Sequence, residues 1–197
     1  MLQVNDLEII KNKRIILEVP ELTLESSTIN ALVGEEKSGK SLLTRVIHGL
    51  YPDYRGVIEF HNYDKDKCNS YLITKDVILL TKATISDNFA ICSKQQYELI
   101  SEYSNLAGLE NDIERDITDL SYYKQKLVEL VIACGVNPLI LIIDDFDKYF
   151  GAQSLILAGK VLSKYKTGGG IVLLTSNLKI PEMDSTYKIE NSKVLKA

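Results

Sequence analysis

The sequence predicts an α/β fold with a mixed β-sheet, and three observations support this prediction. Short apolar runs typical of buried strands alternate with segments of helical periodicity through most of the chain. The two ends of the chain show the alternating apolar pattern of antiparallel strands. A glycine-containing loop at residues 34–41 follows one apolar run and precedes one helical segment, as in proteins whose strands and helices alternate.

The first third of the chain predicts strands around one helix. Strands are expected at LQVNDLEII, RIILEVPELTLE and TINALV, with a turn at Ser26-Ser27 between the last two. After the loop, SLLTRVIHGL carries apolar residues at helical spacing and has Gly49 near its end. YPDYRG is typical of a turn, and VIEF of a short strand.

The middle of the chain predicts a strand at DVILLT and then two helical segments. Residues 85–108 are expected to be mainly helical. A longer helix is predicted at TDLSYYKQKLVELVIACGV, where Thr118, Asp119 and Ser121 are suitable caps.

The last third returns to strands. PLILIIDD is a continuous apolar run that ends in two carboxylates, which predicts a buried parallel strand. A helix at AQSLILAGKVLSKYK, a buried strand at IVLLTSN and a hairpin at TYKIENSKVLK turning at Glu190-Asn191 complete the chain. No repeat or long linker interrupts the sequence, so residues 1–197 are expected to form a single domain.

Composition argues against several functions. The net charge of −4 provides no basic field, so no binding of nucleic acid is expected. Asp6 and Glu8 are unlike a signal peptide, and no apolar stretch is long enough for a membrane span, so any membrane role should come through a partner. The three widely spaced cysteines indicate free thiols in a reducing compartment, with Cys134 buried.

The loop GEEKSGKS, residues 34–41, has the residues that a phosphate-binding loop requires. Gly34 and Gly39 allow the backbone to approach phosphate, Lys40 can reach the terminal phosphates, and the Ser41 hydroxyl can bind Mg²⁺. The alternative is a glycine turn with an accidental Lys-Ser pair. The expected nucleotide contacts are Gly34, Glu35, Glu36, Lys37, Ser38, Gly39, Lys40, Ser41 and Leu42.

A second metal ligand is expected at Asp144, which ends the apolar run LILIIDD. Ligands of parallel sheets bind at the carboxyl ends of the strands, so this carboxylate and Ser41 could hold the same Mg²⁺. The alternative is an aspartate that merely caps the following turn. Together, the loop and the carboxylate predict binding of a nucleoside triphosphate.

The order of these motifs resembles that of the ATP-binding cassette (ABC) family over nearly the whole chain. The run DLSYYKQKLVELVIACGVNPLILIIDD is similar to the family's segment from signature helix to metal-binding strand, and TISDNFAI and the closing hairpin also match. The resemblance implies a P-loop NTPase core with an N-terminal antiparallel β-subdomain and a short helical subdomain at about residues 85–125. It also implies ATP and Mg²⁺ as ligands, and a second nucleotide-binding subunit and transmembrane permease subunits as partners.

The family's signature sequence is altered in this chain. Two glycines are usual in the signature, whereas this chain has Tyr122 and Tyr123 in the segment LSYYK. Tyrosine adds bulk and lacks the conformational freedom of glycine, so contact with a nucleotide on a facing subunit should be weakened. Ser121 and the helix N-terminus remain to attract an anion.

The resemblance gives Asp145 and Ser176 the catalytic positions, and both residues differ from the usual ones. Asp145 replaces the general base glutamate and is one methylene shorter, a misplacement that can lower the rate by about 100-fold. Ser176 replaces a histidine and cannot carry its charge. Other departures are Lys37 and Leu42 in the phosphate loop and Thr81 or Lys82 at the glutamine loop. Gly151 departs from the family at the D-loop, and Ile10 at the adenine-stacking position. These changes predict that nucleotide is held but not efficiently cleaved.

Two functions remain open at this level. The favoured hypothesis is the ATP-binding subunit of an ABC-type membrane transport complex, catalytically degenerate and peripheral on the cytoplasmic face of the cell membrane. A heterodimer with another ATPase subunit is favoured over a homodimer, because a symmetric dimer would have no well-equipped site. The alternative is a soluble ABC-like regulatory or scaffold module that uses ATP as a structural ligand.

Overall fold

The computed structural model describes residues 1–61, 69–150, 152–181 and 183–197, with the backbone alone for residues 152–154. Nine strands lie in these residues: β1 (Leu2–Lys11), β2 (Arg14–Leu24), β3 (Thr28–Val33), β4 (Tyr54–Phe60), β5 (Ser70–Ile73), β6 (Ile140–Ile143), β7 (Ile171–Ser176), β8 (Ser185–Glu190) and β9 (Lys193–Lys196). The α-helices in the same residues are α1 (Lys40–Ile47), α2 (Ile85–Ala90), α3 (Lys94–Leu106), α4 (Tyr122–Val136), α5 (Phe146–Tyr149) and α6 (Ala152–Thr167).

The described strands form one mixed sheet in the order β4-β1-β2-β9-β8-β3-β7-β6-β5. Strands β3, β7, β6 and β5 are parallel to their neighbours, and β8 is parallel to β3. The pairs β1–β2, β1–β4 and β8–β9 are antiparallel. The predicted α/β class, with an antiparallel region at the start of the chain and a hairpin at its end, is confirmed.

The parallel strands are buried on both faces, which explains their unbroken apolar sequences. Leu141 and Ile143 of β6 pack in the core beneath α2–α6, whereas Ile140 and Ile142 face a second core formed with α1 and the antiparallel strands. In the antiparallel region the side chains alternate, and Leu2, Val4, Leu7 and Ile9 of β1 are among those that contribute to the second core.

An irregularity in β1 explains one glycine of the antiparallel region. The pairing of β1 with β4 shifts between Asn5 and Glu8, and Asp6 has a φ of 49°. Gly56 of β4 has a φ of 105°, and a Cβ atom there would lie 2.4 Å from the Asp6 carbonyl oxygen. Only glycine allows this approach of the two backbones.

Two predictions about local structure are corrected. The strand expected at DVILLT is wrong: the place beside β6 is taken by Ser70–Ile73, and the later apolar run forms an irregular surface segment in which Ile78 and Leu80 are exposed. The terminal hairpin turns at Asn191-Ser192, one residue later than expected, because both residues adopt the positive φ that a tight hairpin turn requires.

The helix boundaries follow local capping chemistry. The Ser121 side chain accepts a hydrogen bond from the Lys124 amide and begins α4, as expected, and Asn137 with a φ of 54° ends it. Helices α2 and α3 begin with capping boxes, Thr84 with Asp87 and Ser93 with Gln96. In the part of the chain that the structure describes, no helix is long and apolar enough to cross a bilayer.

Candidate nucleotide-binding site

The loop between β3 and α1 requires its two glycines. Gly39 has a φ of 108°, in the region that glycine favours, and α1 begins at the next residue. A Cβ atom on Gly34 would lie 2.8 Å from the Ser38 Oγ atom and 3.2 Å from the Ile189 Cβ atom of β8. The loop therefore turns tightly against the sheet and leads directly into a helix N-terminus, which attracts anions.

Lys40 holds the loop closed. Its ammonium donates hydrogen bonds to the carbonyl oxygens of Gly34 (2.7 Å) and Glu35 (2.7 Å) and to Oδ1 of Asn177 (3.0 Å). Burial lowers the Lys40 pKa, and the nearby carboxylates of Asp145 and Asp144 partly offset that effect. The three acceptors are uncharged, so an incoming phosphate would give this ammonium an anionic hydrogen-bond partner.

Thr175 of β7 positions the two carboxylates that follow β6. Its Oγ1 atom donates to Oδ1 of Asp144 at 2.6 Å and accepts from the Asp145 amide at 2.8 Å. Asp144 is buried, and Asp145 has a φ of 58°. Thr175 is a polar residue near the end of an apolar strand, which is the sequence signal that could have identified it. Its partners, however, depend on the order of the strands.

Asp145 also forms an ion pair with Lys148 on α5. The Lys148 ammonium lies 2.9 Å from Oδ2 of Asp145, and about half of the Lys148 side chain is exposed. The pair raises the pKa of Lys148, with further contributions from Glu36 and Asp147. The predicted general base is therefore already paired with a cation of its own chain.

These groups surround a hollow of about 430 Å³. Its lining residues are Lys11, Ile16, Glu36, Lys37, Gly39, Lys40, Ser41, Leu42, Arg45, Asp145, Lys148 and Asn177. Five of them are cationic and two are acidic, so the hollow suits a polyanion. A larger hollow of about 620 Å³ borders the loop at Gly34 and Glu35, but Lys40, Ser41 and Asp145 do not line it.

The residues predicted from the sequence are not all brought into this hollow. The loop residues from Glu36 to Leu42 line it, except Ser38, whose Oγ atom is buried. Ser176 is fully buried, its Oγ accepts a hydrogen bond from the Leu178 amide, and its neighbour Asn177 lines the hollow instead. Gly151, noted as a departure in the D-loop, lies outside the described residues.

The lining of the hollow bears on the expected position of the base. Ile10 does not line the hollow, whereas Lys11 and Ile16 do. The reason is that β1 ends in a turn at Asn12 and Lys13, after which β2 brings Ile16 toward the loop while the carbonyl of Ile10 accepts a hydrogen bond from Tyr51.

The two tyrosines of the signature segment differ in their contacts. The Tyr122 hydroxyl donates to the Lys75 carbonyl at 2.8 Å, and its ring packs edge-on against Tyr149 with centroids 6.3 Å apart. Both Tyr122 and Tyr123 are more than 40% exposed. The first tyrosine thus ties the start of α4 to its own chain.

The donor set fits a magnesium nucleotide. Magnesium in such sites takes one or two protein oxygens and completes its coordination with phosphate oxygens and water. Asp144, oriented by Thr175, and Ser41 at the start of α1 could supply the protein oxygens. When bound, the metal would neutralise phosphate charge, and Lys40 and the N-terminus of α1 would orient the phosphates.

A parallel sheet with this loop after β3 and carboxylates after β6 defines a P-loop nucleotide-binding domain. Comparison with known families agrees with this assignment. The family model described as "ABC transporter" matches residues 17–147, and the chain belongs to this family.

Curated relatives are similar over different shares of their length. The fructose import ATP-binding protein FruK of Bifidobacterium longum is 26% identical over 88% of the chain, which spans 37% of that protein. The chain thus spans about a third of the length of the first sugar-import relatives that it matches. The lipoprotein-releasing system ATP-binding protein LolD of Wigglesworthia glossinidia brevipalpis is 26% identical over 94% of the chain and 90% of its own length.

Solved structures share the fold. A structure titled as the ATP binding subunit of an ABC transporter superposes with a TM-score of 0.85 at 21% identity, covering 100% of this chain and 89% of that one. A nucleotide-free ATP-binding cassette from an ABC transporter gives a TM-score of 0.78 at 17% identity, covering 99% and 89%.

Proposed function

We propose that this chain is the ATP-binding subunit of an ABC-type membrane transport complex, and that it binds Mg²⁺-ATP in the hollow at the phosphate loop. The observation that carries the proposal is the cationic hollow lined by Lys40 and Ser41, with Asp145 beside the buried Asp144. The relatives named as import or lipoprotein-releasing ATP-binding proteins support a role in transport.

Binding is tested directly by thermal unfolding and calorimetric titration with millimolar Mg²⁺-ATP. Binding of nucleotide to the folded chain alone should raise its melting temperature. Lys40→Ala should abolish that rise, because it removes the ammonium that closes the loop. The matched control is Lys164→Ala, which removes another paired lysine on α6, outside the hollow. A folded chain whose melting temperature does not change with ATP would contradict the proposal.

The partners proposed are transmembrane permease subunits and a second, different nucleotide-binding subunit, with residues 1–197 acting as a single domain on the inner face of the membrane. Support for a different partner comes from Tyr122, which is bonded to its own chain, and from Asp145, which is paired with Lys148. Affinity purification from native membranes, followed by identification of co-purifying chains, tests this. Recovery of permeases without a second ATPase subunit would contradict the heterodimer.

Weak hydrolysis is part of the same proposal. Asp145 is the residue proposed to polarise a water beside the metal, but its side chain is short and its carboxylate already accepts a hydrogen bond from the Lys148 ammonium. The short side chain of Asp145 and its pairing with Lys148 also favour the second candidate, a regulatory or scaffold module that holds ATP as a structural ligand. Absence of any permease from the purified complex would favour that module.

A further inference from the structure

The phosphate loop of this chain carries acidic residues where it must accept an anion. Glu35 and Glu36 are adjacent in the loop, and Glu36 lines the hollow together with Asp145. Like charges at close range oppose the entry of a polyphosphate. Lys37 lies next to Glu36 in the loop, and a further cation beside Asp145 would reduce the repulsion on the β6 side of the hollow.

Lys148 is placed to be that cation. Its ammonium bonds Asp145, and Lys148 and Glu36 line the same hollow. Lys40, by contrast, already has three acceptors within 3.0 Å. At the end of β7, Ser176 is buried, and the following residue, Asn177, is uncharged.

The order of the strands shows which lining residues lie at each end of the hollow. Strand β2, which carries Ile16, lies on one side of β3, and strands β7 and β6 lie on the other. Ile16 and Leu42 are the apolar lining residues, whereas Asp145, Lys148 and Asn177 come from the β6–β7 side. A nucleotide with its base toward Ile16 would present its last phosphate to Lys148.

We propose that Lys148 recognises the terminal phosphate of a nucleoside triphosphate, and that it leaves Asp145 when it does so. The inference rests on the proposed nucleotide-binding function. A diphosphate bound in the same orientation would lack that terminal phosphate, so the Lys148–Asp145 pair would persist beside it. Lys148 thus sets the preference for triphosphate over diphosphate and couples that choice to the release of Asp145.

The test is calorimetric titration of the purified chain with Mg²⁺-ATP and with Mg²⁺-ADP. Lys148→Met keeps the aliphatic stem and removes the charge, and it should weaken ATP binding about tenfold while leaving ADP binding nearly unchanged. Lys148→Arg should retain most of the preference. Lys164→Met is the control, since Lys164 is similarly exposed and also ion-paired, and it should change neither affinity.

A double-mutant cycle with Asp145→Asn separates direct contact from an indirect effect. If Lys148 binds the phosphate, Lys148→Met should weaken ATP binding in the Asp145→Asn background as well. If the loss disappears there, Lys148 acts only by masking the Asp145 charge, and the proposal is overturned. Equal losses for ATP and ADP, or no loss, also overturn it while leaving the proposed function intact. Failure of the unmodified chain to bind either nucleotide overturns both.

Discussion

At the scale of single residues, the site depends on contacts that cross from one strand to another. Thr175 on β7 donates to the Asp144 carboxylate and accepts from the Asp145 amide, and Asn177, just after β7, accepts from Lys40 at the end of the loop after β3. These three strands are adjacent in the sheet although they are far apart in the sequence. A small change in one side chain should therefore displace proposed metal-binding or phosphate-binding groups that follow another strand.

Thr175→Val tests this dependence. The substitution keeps the shape of the side chain but removes the donor to Asp144, leaving a buried carboxylate oxygen without this hydrogen bond. We expect a loss of about 1–3 kcal/mol in the free energy of unfolding and weaker binding of Mg²⁺-ATP. Urea unfolding and calorimetric titration measure the two effects. Thr167→Val is the control, since Thr167 bonds a carbonyl at the exposed end of α6 and should alter neither.

The position of the base gives a second prediction. Ile16 lines the hollow and Ile10 does not, so an aromatic side chain should help only at residue 16. Ile16→Tyr should tighten ATP binding several-fold, because stacking is worth about 1 kcal/mol. Ile10→Tyr is the matched comparison and should leave the affinity unchanged. Tighter binding from Ile10→Tyr alone would restore the placement of the base at that residue.

At the scale of elements, α4 is joined to the rest of the core by a buried ion pair. Lys126 and Glu129 have fully buried side chains 2.7 Å apart, and the Lys126 ammonium also donates to the carbonyls of Thr74 and Asp76. The same ammonium lies 5.0 Å from the centre of the Tyr149 ring. The pair therefore links α4, α5 and the irregular segment after β5.

Removing one partner of this pair should be costly. Lys126→Met leaves Glu129 as a buried charge without its cation, and we expect a loss of about 3–5 kcal/mol in the free energy of unfolding. Replacing both residues, as in Lys126→Met with Glu129→Leu, should recover much of that loss because no unpaired charge remains. Urea denaturation of the two single variants and the double variant measures this. Equal stability of Lys126→Met and the unmodified chain would refute a stabilising role for the pair.

The pH dependence of stability provides an independent measurement at this helix. Burial is the main effect on the Glu129 carboxyl and raises its pKa, although Lys126 partly opposes the shift. A folded-state pKa above the unfolded one means that the folded chain binds the proton more tightly. The resulting stabilisation is present below the unfolded pKa and is lost as pH rises through the folded value. Glu129→Gln should flatten this part of the pH–stability profile, and an unchanged slope would contradict the assignment.

The phosphate loop and several strands and helices could be predicted from the sequence because their determinants are local. Glycine at a positive φ, a helix cap at Ser121 and unbroken apolar strands each act within a few residues. The strand expected at DVILLT failed because an apolar run does not show which segment occupies the place beside β6. The roles of Thr175, Asn177 and Lys148 depend on strand order and on a short helix after Asp145, which the sequence does not specify.

At the scale of the whole molecule, the hollow at the phosphate loop and the signature segment are built from different residues. Lysines and the phosphate loop gather at the carboxyl ends of β3 and β6, whereas Tyr122 at the start of α4 is bonded to Lys75 and packed on Tyr149. On the proposed function, the chain would supply the phosphate-loop side of an ATP site, whereas its signature side is altered at Tyr122 and Tyr123. This asymmetry favours a partner that carries an intact signature.

Self-association in the presence of nucleotide tests this asymmetry. A symmetric dimer would place Tyr122 and Tyr123 of each copy against the nucleotide of the other, where bulky side chains hinder approach of the backbone. We expect the purified chain to remain monomeric in sedimentation velocity with Mg²⁺-ATP at micromolar protein concentration. Replacing both tyrosines with glycine should permit ATP-dependent association, whereas Tyr97→Gly, which removes an exposed tyrosine on α3, should not. ATP-dependent dimerisation of the unmodified chain would show that the tyrosines are compatible with a symmetric site, and the preference for a different partner would then be wrong.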